Sequence, residues 1–427
     1  MASSRQSPER PLESPALGSS LSSLIAPCND PLRPASPPPA TRTPIGATFS
    51  GGGFRATFAA LGVVRYLADA GVLGDLRYSS SVSGGSVANG LLATRWPALR
   101  ARQFSGAAVD ELVIEPLVEH VVASSLKAKL IRNVWRAALR KNRTDVLAWA
   151  FDDWLFDKAE LESLDAECRW IFNASNLVTG TRFGFERDVV GDYVVGLAPT
   201  AGSGLRVAQA VAASAAVPGA FAAMKIDQVT FPCAGRGVPE LLDGGAYDNS
   251  GLEAIDSNRY HDVFTVSMNA GGVFVTGGYG KIPLVRDLAR ANSLLYRQST
   301  TLRTRAMVGR FLAWQATPPG AEPAPDSRRG VLFGLATDIG GTDRQNPAFA
   351  EFVERFPEHR SFSDEGTERD LAFVPTVFDQ LPADLVAALV YRGWWLTGAT
   401  LALRQPDFAP LPSPTVAPLL HPRPSSS

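Results

Sequence analysis

The chain has little of what metal centres and disulfide scaffolds require. Its 427 residues include three cysteines, Cys28, Cys168 and Cys233, widely spaced and without a CxxC pair, and four dispersed histidines, His120, His261, His359 and His421. An odd, scattered cysteine set argues against a disulfide framework or a zinc site and fits a reducing compartment. Four separate histidines give no basis for a His-rich metal centre, so no metal and no cofactor is expected. Net charge is nearly absent: 41 Lys and Arg against 42 Asp and Glu leave −1. Such a balance makes no field for a polyanion, and no nucleic-acid partner is expected. Long apolar runs are missing too. The uncharged stretch between Arg206 and Lys225 is broken by Pro218-Gly219, and that between Asp262 and Lys281 by two glycine pairs, so neither reads as a membrane span. Near the N-terminus Ser19, Ser20, Ser22 and Ser23 interrupt the leucines, which leaves no signal-peptide core. The expected location is the cytoplasm, with peripheral membrane contact as an option.

What is present is apolar residue in quantity, 45% of the chain, enough for a full hydrophobic core. Residues 1–43 hold nine prolines and nine serines and read as a disordered leader; residues 405–427, with seven prolines, read as a disordered tail. The folded body is therefore expected over 44–404, with Thr317 to Arg328 as a surface loop. Within it, Ile45 to Phe49, Leu76 to Val82, Arg169 to Asn173, Lys225 to Phe231 and Asp262 to Met268 read as buried strands. Helical patterns alternate with them. Phe54, Phe58, Leu61, Val64 and Ala68 recur at three- and four-residue spacing, for example, until Gly71 stops the helix. This alternation predicts an α/β domain with a largely parallel sheet.

Three motifs stand at strand–helix junctions. Ser50-Gly51-Gly52-Gly53-Phe54-Arg55 follows the first strand; bare glycines let several backbone N–H groups converge on one anion at a helix start, as in an oxyanion hole or phosphate cradle. Neither a Walker loop nor GxGxxG is present, which weakens the nucleotide reading. Ser81-Val82-Ser83-Gly84-Gly85 follows the second strand, where Ser83 has the small neighbours that a nucleophile elbow needs. Ser81 stands where that elbow usually has glycine. Asp243-Gly244-Gly245 follows Leu241-Leu242 and can project a carboxylate into a cleft, although Asp-Gly is also a common turn. Taken in order, the three supply an anion trap, a nucleophile and a base, the parts of an acyl-transfer site.

With these motifs the chain resembles the patatin-like phospholipases, and SGGGFRA resembles the glycine loop of their cytosolic phospholipase A2 branch. The run Ala212 to Pro218 (AASAAVP) is similar to the small-residue helix and proline that precede the family's catalytic aspartate. The resemblance implies a three-layer α/β/α fold with a mostly parallel central sheet, a motif-bearing core over about 44–272 and a helical extension over about 273–404. It implies a Ser83–Asp243 dyad, an oxyanion loop of Gly51, Gly52 and Gly53, and a role for Arg55. That arginine either holds a substrate phosphate or steadies the loop, or it makes an ordinary surface ion pair. The implied activity is lipid acyl hydrolysis of the phospholipase A or lysophospholipase kind, on phospholipid or acylglycerol. Two alternatives stand beside it: a lipid-binding scaffold without turnover, and a Ser–Asp–His triad esterase with His261 as the third member.

Further features lie outside the motifs. Residues 126–143 carry Lys127, Lys129, Arg132, Arg136, Arg140, Lys141 and Arg143 with no acid, a pattern that suits either contact with an anionic membrane or a solvated helix face. Leu294 to Val308 reads as a long helix. Trp394 and Trp395 are either interfacial anchors or core.

Overall fold

In the computed structural model, which describes residues 27–29, 32–123, 126, 143–272, 283–318, 320–339, 346–357 and 371–413, the first strand, β1 (Ile45–Phe49), is buried over its whole length. That is what a central parallel strand requires, because helices cover both of its faces. It lies between β2 (Leu76–Val82) and β9 (Phe264–Asn269); β9 pairs β10 (Arg329–Gly334) and β2 pairs β3 (Arg169–Asn176), all in parallel. Beyond β3 the sheet turns antiparallel through β4 (Thr181–Phe185), β5 (Val189–Asp192) and β6 (Gly196–Pro199), while β8 (Glu240–Asp243) joins β3 and the two-residue β7 (Met224–Lys225) joins β8.

The layering follows from strand alternation. Val331 and Phe333 of β10 enter the main core, whereas Leu332 between them packs with Leu252, Met307 and Phe311 on the other side. Successive strand residues face opposite ways, so α8 (Ala383–Arg404), in the main core, and α6 (Pro283–Gln315), which carries Met307 and Phe311, cover opposite faces. The expected three-layer α/β/α architecture with additional C-terminal helices is what the chain adopts. On the main face, α1 (Gly53–Asp69) and α2 (Gly84–Ala101) follow β1 and β2 directly. Residues 53–68 of α1 are all buried, because α8 lies hard against it: a Cβ on Gly62 would come 2.1 Å from the Val390 carbonyl, and one on Gly393 2.0 Å from that of Ala59. Trp394 and Trp395 are both 1% exposed and donate to Asp69 Oδ2 and the Phe356 carbonyl, each at 2.9 Å. They are core, not interfacial anchors.

Several expectations are corrected. Cys28 and Cys233, 205 positions apart, form a disulfide. Their pairing depends on tertiary approach to the β5–β6 turn, where the Cys28 and Cys233 N–H groups donate to Tyr193 and Val195 carbonyls at 2.7 and 3.0 Å. The bond removes the cysteine argument for a reducing compartment; Cys168 is the free, buried thiol. The expected leader is not wholly loose, since Arg42 pairs with Asp75 at 2.8 Å and Arg77 donates to the Pro38 carbonyl at 3.0 Å. The tail likewise stays on the body as far as Phe408, which stacks on Phe264. The strand expected over Lys225 to Phe231 stops at Lys225, because its partner β8 begins at Glu240 and offers no further ladder. Nearly all of the basic segment 126–143 lies outside the described residues. No helix among the described residues is long and apolar enough to cross a membrane.

Candidate active site

At the end of β2 the chain turns sharply into α2, and the residue at the turn is Ser83, with φ 51° and ψ −119°. Positive φ at a non-glycine residue costs about 1–3 kcal/mol and persists only where the surroundings enforce it. Here the surroundings are a buried set of hydroxyls and an amide. The Ser83 N–H donates to Ser214 Oγ at 2.9 Å, and Ser214 in turn donates to the Asn173 carbonyl at 2.6 Å. Ser86 Oγ lies 2.9 Å from Ser214 Oγ and donates to Ser81 Oγ at 3.0 Å; Asn89 Nδ2 donates to the same Ser81 oxygen at 2.9 Å. Serine at 81, where an elbow usually has glycine, is therefore the acceptor on which this network converges. Space is equally restrictive: a Cβ on Gly84 would come 2.0 Å from the Gly53 carbonyl.

Strand β3 brings Asp243 to this turn. β4 occupies one edge of β3, so β2 and β8 share the other edge end to end. Val82 pairs with Asn173 and Asp243 with Ala174, the next residue along. Ser83, one step past Val82, thus meets Asp243 although 160 positions separate them. The Ser83 side chain lies close enough to the Asp243 carboxyl to favour its charged form, and Gly245 N–H donates to Asp243 Oδ1 at 2.8 Å. Both side chains are buried at the floor of the site, each residue 3% exposed. Burial pushes the Asp243 carboxyl up to about 6, against the lowering effect of the Ser83 side chain and the Gly245 N–H. It is still ionised at neutral pH, and it is a better proton acceptor than an ordinary aspartate of pKa about 4.

The glycine loop divides into two roles. The Gly51 N–H is committed to Asn249, at 3.1 Å from its carbonyl and 3.0 Å from its Oδ1. The N–H groups of Gly52 and Gly53, by contrast, have no partner among the described residues, and neither has that of Gly84. Gly52 and Gly53 have φ 148° and 59°, and a Cβ on Gly53 would come 2.4 Å from the Val377 carbonyl. That carbonyl accepts the next N–H, of Phe54, at 3.0 Å. Unpaired N–H groups at two helix starts, beside a serine hydroxyl, are suited to receive a developing negative charge. Gly51 belongs to the support of this cradle, Gly52 and Gly53 to its surface. Gly84 was not among the residues expected from sequence; its place directly after Ser83 was the available signal.

Arg55 is 2% exposed and makes no surface ion pair. Its Nε donates to the Ala270 carbonyl and its Nη2 to Thr376 Oγ1, both at 3.0 Å, while Nη1 donates to the Val374 carbonyl. Burial lowers its pKa to about 10, so it remains a cation that ties α1 to the segments after β9 and before α8. Of the readings open at the outset, steadying the loop is the one this geometry matches. His261 lies before β9, at the opposite end of the parallel strands from Ser83, exposed and paired with Asp262 at 2.9 Å. The ring of His120 stacks on Trp154. Neither is a partner of Asp243, which removes the support for a triad through His261. Among the described residues no cluster of His, Cys, Asp and Glu could hold a metal. Tyr296 of α6 also reaches the site, donating to Asn249 Oδ1 at 2.9 Å; nothing in the sequence around it marked it out.

Residues 47–256 match the model of a family described as patatin-like phospholipase. No curated protein matches the chain. Among solved structures it is similar to human GIVD cytosolic phospholipase A2, at 12% identity and TM-score 0.45 over 84% of this chain and 59% of that one. It is also similar to human GIVD cytosolic phospholipase A2 in complex with methyl gamma-linolenyl fluorophosphonate, at 15% identity and TM-score 0.44 over 84% and 57%. The chain thus spans less than two thirds of the length of these structures.

Proposed function

Because residues 47–256 match the patatin-like phospholipase family model, we propose that the chain is a lipid acyl hydrolase in which Ser83 is the nucleophile and Asp243 its base. The observation that carries this reading is the strand register that brings Ser83, at a strained turn, beside the buried Asp243 carboxyl. As Ser83 Oγ attacks the ester carbonyl carbon, its proton passes to Asp243, and the carbonyl oxygen becomes an anion in the cradle of Gly52, Gly53 and Gly84 N–H groups. One such donor is typically worth about 10²–10³ in turnover. Collapse breaks the ester bond, and the leaving alcohol oxygen takes the proton back from Asp243. Water then repeats the sequence on the acyl-enzyme, giving its proton to Asp243 and releasing a free fatty acid and regenerated Ser83. The other product is a lysophospholipid or an alcohol.

Exposed apolar side chains adjoin site residues along the chain, which is consistent with a lipid substrate. Val217, Val377, Leu294 and Leu295 are all exposed. Val217 follows Ala216, whose carbonyl accepts the Asp243 N–H; Val377 contacts the glycine loop; the two leucines precede Tyr296. A fluorophosphonate probe tests the reading: mass addition to the native chain that is absent in Ser83→Ala supports it. A folded native protein that takes up no probe and hydrolyses no lipid ester refutes it in favour of a scaffold.

A further inference from the structure

Helix α6 crosses the sheet face opposite α1, yet it sends one polar group into the site. The Tyr296 hydroxyl donates to Asn249 Oδ1 at 2.9 Å, and that same oxygen accepts the Gly51 N–H at 3.0 Å. One side-chain carbonyl therefore ties α6 to the glycine loop. The phenol also stands directly over Gly245, where a Cβ would come 1.6 Å from the hydroxyl, and Gly245 is the residue whose N–H holds Asp243 Oδ1. Burial and the nearby charges of Asp243 and Asp248 raise the phenol's pKa well above its usual value, outweighing the opposite pull of Arg55. The hydroxyl stays protonated wherever the site works, so it is always a donor to Asn249.

We propose that Tyr296 is a positioning residue for the ester cleavage: it holds the Asn249 carbonyl against Gly51 and so fixes the loop on which Gly52 and Gly53 present their N–H groups. The inference rests on the reading of Ser83 and Asp243 given above. Tyr296 acts through Asn249 and does not itself meet the reacting atoms. Without its hydrogen bond, the Asn249 amide is free to rotate, and the loop loses one of the two acceptors that anchor it. A loosened cradle binds the ground state nearly as well but stabilises the oxyanion less, so the loss falls on kcat.

The test uses the purified full chain and a soluble short-chain aryl ester. Tyr296→Phe keeps the ring and removes only the donor; one hydrogen bond of ordinary strength predicts a fall in kcat of about five- to tenfold with KM unchanged. In the Asn249→Ala background the same substitution is expected to have no further effect, because the connection is already cut. If Asn249→Ala does not fold, Asn249→Asp keeps the acceptor, and the Tyr296→Phe loss should persist there. Native kcat in Tyr296→Phe, a rise in kcat/KM showing that the phenol only obstructs, or losses that multiply in the Ala background would each overturn the inference while Ser83-dependent turnover leaves the dyad standing. Turnover by the native chain that survives Ser83→Ala would instead remove the reading beneath it.

Discussion

Ser83 and Asp243 meet at one point but are held there by opposite means. Ser83 sits in a disfavoured backbone conformation that side chains enforce: Ser214, Ser86, Ser81 and Asn89 form a buried network ending on its N–H. Asp243 ends an ordinary strand and is placed by the backbone. Its N–H donates to the Ala216 carbonyl at 3.0 Å, that of Gly244 to the Ser214 carbonyl at 3.2 Å, and Asp243 pairs Ala174 on β3. The strain is thus stored on the Ser83 side and the electrostatic cost on the Asp243 side, where a carboxyl is buried with the Gly245 N–H as its donor. One side should be fragile to changes in neighbouring side chains, the other tolerant of them but costly to keep charged.

Substitution at Asp243, the proposed base, should have the largest effect. Asp243→Asn keeps the shape and removes the proton acceptor, and turnover of a phospholipid or aryl ester is expected to fall by at least about 10³-fold. The same variant should show the cost of the charge. The folded-state pKa of about 6 lies above the ordinary 3.8, so the folded protein binds this proton more tightly than the unfolded chain. Wild-type stability from this group is complete below about pH 4 and declines as pH rises through 6, by about 1–3 kcal/mol. Asp243→Asn should therefore melt higher than wild type at pH 7 and show the smallest difference near pH 4, as read from denaturant or thermal curves. Equal melting at both pH values would contradict the assignment of that cost to Asp243. On the Ser83 side, Ser214→Ala leaves the Ser83 N–H without its acceptor and is expected to lower kcat about 10- to 100-fold with a loss of about 1–3 kcal/mol in stability. Ser175→Ala removes the hydroxyl that bonds the Asp243 carbonyl at 2.9 Å. The backbone ladder survives it, so kcat should fall less than about fivefold. A Ser175 effect as large as that of Ser214 would erase the contrast between the two sides.

The legible part of the molecule was the part built from local pattern. The strand and helix around SGGGFR, the elbow at Ser83 and the small-residue helix before Asp243 all advertise themselves through glycine, serine and alanine at close-packed junctions. What escaped was set by tertiary pairing. Arg169 to Asn173 reads as a strand, but Ala174, Ser175 and Asn176, the three residues that receive β8 and so place Asp243, lack an apolar alternation to mark them. The strands β4 to β6 have only four or five residues each, too few for a period to show. The Cys28–Cys233 bond and the approach of Tyr296 depend on segments far apart in sequence, and composition argued against the first. Arg55 could be located by motif, but not its buried carbonyl partners, which lie more than 200 positions away.

The rate at which a fluorophosphonate modifies Ser83, followed by intact mass from pH 4 to pH 8, tests the central claim most directly. A nucleophile activated by Asp243 should react along a curve that rises through about pH 6, where that carboxyl ionises, and Asp243→Asn should flatten the curve at a low rate. A labelling rate independent of pH over this range, or one that Asp243→Asn leaves unchanged, would show that the carboxyl does not activate the serine.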